Sequence, residues 1–266
     1  MKQIILVSIL SLSLFACKKE NTEVKTAIVE PEVVEVNLTY NDSLKPILFE
    51  YTSTGCPGCG SWGKPTFNTL VSEFNNKIIP IAVHIKYGDP MITPTSNAIA
   101  DNRYGQFFTP QIWVNDTNGV QLGGGSINGT SSINYLRQLI NGSNSSLIAK
   151  VAGVIVSQSN TAANVKVGIS LLNPSNTNEY YLSCYTMRDG FEYNQTGSET
   201  NPTTHNYYIR NSAELPFGKK VELTNNTFEY TTTFYDNDIN TNNHYVVILW
   251  QKQGSRYAAL GGYKFK

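Results

Sequence analysis

The chain is poor in histidine and cysteine, with three and four, and it has no excess of charge, with 20 Lys+Arg against 20 Asp+Glu. That balance excludes a broad basic surface for nucleic acid. Neither an HxxxH pair nor a second CxxC occurs, so the usual ligand sets of structural zinc are missing. No internal repeat suggests a solenoid or propeller, and nothing in the composition calls for a cofactor. The apolar run Ile4 to Phe15 is too short to cross a bilayer as a mature helix.

What that run does resemble is an export signal. It follows a short basic start, Met1-Lys2, and ends in Leu14-Phe15-Ala16-Cys17. A small residue before Cys, with Leu three positions upstream, is similar to the bacterial lipobox, where cleavage precedes the Cys and the Cys is lipidated. An ordinary signal peptide followed by a chance cysteine is the other reading. On the lipobox reading, residues 1–16 are a lipoprotein signal peptide. Residues 17–35, polar and charged with Pro31, are then the lipidated Cys17 and a flexible tether. Removing Lys2 leaves the mature chain near neutral.

Export permits disulfides, and Cys56-Pro57-Gly58-Cys59 supplies an obvious pair. It follows the apolar run Pro46 to Thr52, which reads as a buried strand. Gly60 to Asn75 then carries Trp62, Phe67, Leu70, Val71 and Phe74 at helical spacing, with Pro65 expected to kink that helix or delay its start. Ile78 to Ile85 reads as a second buried strand. Thr95 to Phe108 reads as a helix, Pro110 to Val114 and Val120 to Leu122 as a hairpin, Ser131 to Ile140 as a last helix, and Val34 to Tyr40 as an edge strand. Strand, CxxC opening a helix, and a proline starting a later strand form the layout of a thioredoxin-like fold. It is assigned to residues 36–143, an α/β domain.

The segment Asn141 to Ser146 is a linker by composition. Beyond it come eight short strand-like runs from Ala149 to Phe265. Among them, Val165, Val167, Ile169 and Leu171 alternate with polar or small residues. Residues 147–266 therefore read as an all-β sandwich, immunoglobulin-like in type. Cys184, flanked by Tyr181-Leu182-Ser183, is expected inside its core.

The candidate chemistry gathers at the CxxC. The first Cys at a helix start meets free backbone N–H groups and the positive end of the dipole, which lower its pKa to roughly 3.5–7.5. Cys56 is then the attacking sulfur and Cys59 the resolving one. A disulfide that only staples the turn is the competing reading. Pro57 is acceptable at a helix start, and Gly58 leaves the approach to the sulfurs open. In this fold Pro110 is expected cis and facing the CxxC, freeing the Thr109 backbone to pair with an extended substrate. Glu50 is either a buried carboxyl with a raised pKa that relays protons, or an edge residue facing solvent. His84, at the carboxyl end of its strand, has three readings: a thiolate stabiliser, the third ligand of a soft-metal site with the two cysteines, or a structural histidine. Asp236 to Asn242 mimics the start of a calcium loop but lacks its mid-loop Gly and final Glu, so turn chemistry explains it better. His205 and Arg210 flank a Tyr-rich strand with no nucleophile tied to them.

Leu48-Phe49-Glu50-Tyr51-Thr52, Gly55-Cys56-x-x-Cys59, Ile81-Ala82-Val83-His84 and Thr109-Pro110 with Val114-Asn115 carry a family resemblance. So do His205 to Arg210 and Phe217-Gly218-Lys219. Together they resemble the bacterial lipoprotein family named for a twenty-eight-kilodalton outer membrane protein. The resemblance implies an outer-membrane lipoprotein with a thioredoxin-like domain before a β-rich one. Two functions stand: thiol–disulfide exchange on exported proteins, or surface binding with the CxxC as a staple. Thioredoxins proper have Gly before Pro between the cysteines, whereas Pro57 precedes Gly58 here. If Cys17 is lipidated, the wild-type protein partitions into membranes, because each buried CH₂ of an acyl chain contributes about 0.8 kcal/mol. The Cys17→Ala form should remain an uncleaved precursor or appear soluble on fractionation; equal membrane association of processed protein in both forms excludes the anchor.

Overall fold

The computed structural model describes residues 36–86, 88–103, 108–121, 129–175, 177–236, 239 and 243–265. The signal peptide, Cys17, the tether and most of the calcium-like loop lie outside them. Residues 36–266 form one compact unit. In chain order its first half holds β1 (Asp42–Ser43), β2 (Ile47–Thr52), α1 (Lys64–Phe74), β3 (Ile79–His84) and α2 (Pro94–Asp101). Then come β4 (Gln111–Val114), β5 (Thr117–Gln121) and α3 (Gly129–Asn141). The second half runs β6 (Ala149–Gln158), β7 (Ala162–Leu171), β8 (Tyr180–Arg188), β9 (Phe191–Tyr193) and β10 (Thr203–His205). It ends with β11 (Tyr208–Ser212), β12 (Lys219–Lys220), β13 (Thr227–Tyr235), β14 (Asn243–Gln253) and β15 (Arg256–Phe265). No helix among the described residues is long and apolar enough to cross a membrane.

One sheet crosses the whole unit in the order β15-β14-β8-β11-β3-β2-β4-β5, with β12 against β8. The two segments read from sequence as separate domains therefore share a sheet. They are joined where Tyr208 of β11 lies parallel to Ala82 of β3, and the Ala82 N–H donates to the Tyr207 carbonyl at 2.8 Å. A second sheet, β1-β6-β7-β13, packs on it as a sandwich. The β7 alternation read in sequence fills the space between: Val165, Val167, Ile169 and Leu171 meet Leu182, Cys184, Val247 and Leu249. The expected linker is built into this body. Ser145 is buried, donates to the Leu260 carbonyl at 2.6 Å and accepts from Asn115 at 3.0 Å. The expected edge strand at residues 34–40 is not formed by its described part; residues 36–40 run without strand pairing and β1 begins two residues later.

Strand alternation positions the site. On β2, Ile47, Phe49 and Tyr51 join a core with α2, Met187, Ile248 and Trp250. Leu48 faces the other way, into the core under α1 and α3, and Glu50, two residues on, shares its face. Helical backbone runs from Pro57, and a π-type stretch, Cys59–Gly63, precedes α1. Pro65, in the first turn of α1, can neither donate a hydrogen bond nor fit a tight preceding carbonyl; the widened stretch before it absorbs the misfit that sequence anticipated as a kink.

Trp250 couples the halves. It is 2% exposed, stands 6.4 Å from Phe49 by ring centroids, and its indole N–H donates to Ser183 at 2.8 Å. Trp250→Ala should cost about 3–5 kcal/mol. Urea unfolding should stay a single transition across both halves; two separate transitions would show independently folding domains.

Candidate functional site

The β2 strand ends at Thr52, and the next residues turn to bring Cys56 to the start of the helix. Cys56 and Cys59 form a disulfide with Cα atoms 5.2 Å apart. The Cys59 N–H points at Cys56 Sγ from 3.2 Å, and the Thr109 carbonyl oxygen is 3.6 Å from that sulfur. The sulfur therefore shares a helix-start N–H that also donates to the Cys56 carbonyl at 3.1 Å. Both cysteines are nearly enclosed: Cys56 is 5% exposed and Cys59 0%. Pro57 is exposed and Gly58 half-buried, so the turn, more than the sulfurs, faces solvent.

The Thr109–Pro110 peptide is cis, as the sequence layout anticipated. Pro110 meets the helical stretch after Cys59 at Gly63, where an added Cβ would stand 2.7 Å from Pro110 Cβ and 3.5 Å from Glu50 Oε1. Glycine is required there because the proline and the carboxyl converge on the same stretch of helix. Glu50 is buried, and burial pushes its carboxyl up to about 7, with the Lys64 charge and a hydrogen bond from Thr52 pulling the other way. Its Oε1 has no hydrogen-bond partner among the described residues. Of the two sequence readings of Glu50, the solvent-facing one is thus excluded.

His84 is buried at the end of β3, opposite Thr52 on β2. Its Nδ1 lies 2.7 Å from Asp89 Oδ2. Burial works against the Asp89 charge, but the His84 bond and the Met91 and Thr54 N–H groups outweigh it and hold that carboxyl below its ordinary value. The His84 ring packs edge-on to His205 at 5.4 Å and to Tyr208 at 6.2 Å. Burial first, then the Lys64 and His84 charges, lower His205 to about 3. A small polar cavity lined by Glu50, Lys64, His84, Gln195 and His205 connects these groups. No group of three or more His, Cys, Asp or Glu side chains able to hold a metal occurs among the described residues, and His84 is engaged with Asp89 instead.

The structure thus brings Cys56, Cys59, Thr109, Pro110 and Glu50 together and sets His84 in the polar cluster behind. Cys184 lies in the sandwich core with its thiol pushed up by burial, and Arg210 pairs with Asp236 at 3.0 Å. Sequence reasoning missed Asp89, Lys64, Gln195 and the nearness of His205. Asp89 follows His84 by five residues in one loop and was open to detection. Gln195 and His205 arrive only through tertiary folding.

A solved structure of HBP35 of Porphyromonas gingivalis is similar to this chain with a TM-score of 0.66 and 12% identity, over 85% of this chain and 76% of that one. At that identity the likeness is one of fold. A domain of the outer membrane lipoprotein Omp28 from Porphyromonas gingivalis matches with a TM-score of 0.30 and 13% identity, over 44% of this chain and 86% of that one; so loose a match carries no argument. No family model and no curated protein matches the chain.

The Glu50 shift makes stability depend on pH. A carboxyl whose folded pKa exceeds its unfolded value binds its proton more tightly when folded, so its contribution is full below the unfolded value of 4.5 and is lost as pH rises through about 7. The loss amounts to about 3 kcal/mol. In denaturant titrations of the oxidised protein, Glu50→Gln should flatten this fall and gain on the wild type above pH 7. An unchanged slope would mean that Glu50 does not carry it.

Proposed function

We propose that the protein performs thiol–disulfide exchange in the cell envelope, on a thioredoxin-like arrangement, with exported protein thiols or disulfides as its partners. In this reading Cys17 carries the lipid that holds it at the outer membrane. The observation that carries the proposal is the Cys56–Cys59 disulfide at a helix start, with the Cys59 N–H on the Cys56 sulfur and the Thr109 carbonyl beside it.

In the reduced protein the helix start stabilises the Cys56 thiolate. That thiolate attacks a partner disulfide; a mixed disulfide forms and the partner's other sulfur leaves as a thiolate. Cys59, deprotonated by Glu50, then attacks Cys56 Sγ. The mixed disulfide breaks, and the partner's second sulfur leaves and takes up a proton. The partner gains two electrons and the Cys56–Cys59 pair loses them. Starting from the oxidised pair, the same steps reversed oxidise a partner dithiol. An extended partner segment pairs with the Thr109 backbone in the manner of an added strand. Pro57 and Gly58 form the rim it crosses.

One observation favours a second reading. With Cys56 5% exposed and Cys59 0%, the disulfide can serve as a staple in a surface binding lipoprotein.

Trapping separates the two. Cys59→Ser protein should accumulate mixed disulfides on Cys56 in envelope extracts, because no resolving thiol remains. Cys56→Ser should capture none, and Cys184→Ala should change nothing. No capture, together with a Cys56 thiol titrating near the free value of ~8.5, leaves the staple reading.

A further inference from the structure

The loop between β9 and β10, residues 194–202, comes from the second half of the chain and lies against the turn that carries both cysteines. Gln195 is 1% exposed. Its amide Nε2 donates toward the carbonyls of Ser53, Thr54 and Cys56 at 3.1, 3.2 and 3.2 Å. The Thr196 N–H adds a bond to the Thr54 carbonyl at 2.8 Å. The approach is backbone to backbone. A Cβ on Gly197, whose φ is +79°, would stand 2.2 Å from the Pro57 carbonyl oxygen, and one on Gly60 would stand 2.3 Å from that of Thr196. The stem of the loop is pinned as well: Lys64 Nζ donates to the Thr204 carbonyl at 2.5 Å, and Phe191 packs on Ala82, Met91 and Tyr208.

Those carbonyls belong to the residues that lead into Cys56. Carbonyl oxygens are the negative ends of peptide dipoles, and one turned toward a thiolate raises its energy. The Ser53 carbonyl also accepts from the Cys56 N–H, and the Cys56 carbonyl from the Cys59 and Gly60 N–H groups. Among the described residues the Thr54 carbonyl is held by Gln195 and Thr196 alone, and Cys56 Sγ stands 3.2 Å from the Cys59 nitrogen. We propose that Gln195 and its loop are positioning elements of the redox site, so that the β-rich half of the chain sets how readily the Cys56 thiol ionises. This deepens the exchange reading and rests on it.

The test uses the reduced full chain and follows alkylation of Cys56 by iodoacetamide against pH, located by mass spectrometry. The midpoint reports thiolate stabilisation, and the plateau at high pH reports access. Gln195→Ala should raise the midpoint by about one unit, making alkylation about tenfold slower below it, with a plateau equal to or above wild type. Gly197→Ala, which must push the loop off Pro57, should move the midpoint the same way. The titratable groups packed behind the turn are Glu50 on β2, Lys64 on α1, His84 on β3, Asp89 in the following loop and His205 on β10, and neither variant substitutes any of them. An unchanged midpoint in either folded variant overturns the proposal. Should neither fold, hydrogen exchange of the wild-type Thr196 amide decides: protection should differ at least about threefold between oxidised and reduced protein, and equal protection overturns the proposal. If the midpoint moves as expected but Cys59→Ser captures no partner, the exchange reading falls and the positioning role stands.

Discussion

The parallel pairing of β11 with β3 is the contact on which the rest depends. It is short, with Tyr208 opposite Ala82 and one bond from the Ala82 N–H to Tyr207. It nevertheless turns two groups of strands into one sheet. The core around Phe49, Ile81, Met187, Ile248 and Trp250 closes only because strands from both halves lie side by side. The same pairing fixes where β9 and β10 stand, since they precede β11 directly in the chain. Delivery of Gln195 to the cysteine turn is thus a consequence of sheet register, which one hydrophobic face specifies strongly.

Around the cysteines, burial and polarity act against each other. Glu50 and Lys64 are both moved toward their neutral forms by desolvation, and each partly restores the other's charge. His84 and Asp89 form a tighter pair, whose carboxylate also receives two backbone N–H groups. In the first pair, the Glu50 carboxyl is raised to about 7. The Asp89 carboxylate, held below its ordinary value by these bonds, fixes the end of β3. The polar cluster behind the disulfide therefore joins a carboxyl moved toward its neutral form to one held as a carboxylate.

Much of the local structure was legible in the sequence. The apolar run ending at Thr52, the proline before Gln111 and the alternation from Val165 to Leu171 became β2, β4 and β7. The burial of Cys184 followed from its apolar neighbours in the same way. Period and turn chemistry carry that information within a few residues. The division into domains was less legible. The Asn/Gly/Ser run at 141–146 looks like a linker by composition, yet Ser145 is fixed by Asn115 and Leu260, which are far away in sequence. The choice for Glu50 between core and solvent was equally closed to local reasoning, because a strand's two faces look alike until a helix covers one. Gln195 and Gly197 gave no local sign at all. Their partners are carbonyl groups, which every residue has.

The placement of Cys184 gives the protein an internal reporter. Its thiol lies between the two sheets, opposite Val247 on β14, and burial holds it in the neutral form. A neutral, enclosed sulfur neither attacks a disulfide nor takes up an alkylating reagent. Shuffling between Cys184 and the Cys56–Cys59 pair is thereby suppressed as long as the sandwich is closed. Loss of the sandwich uncovers one additional reactive sulfur per molecule, so the count of labelled thiols reads out the fraction of opened chains directly, independent of any change at the Cys56–Cys59 pair.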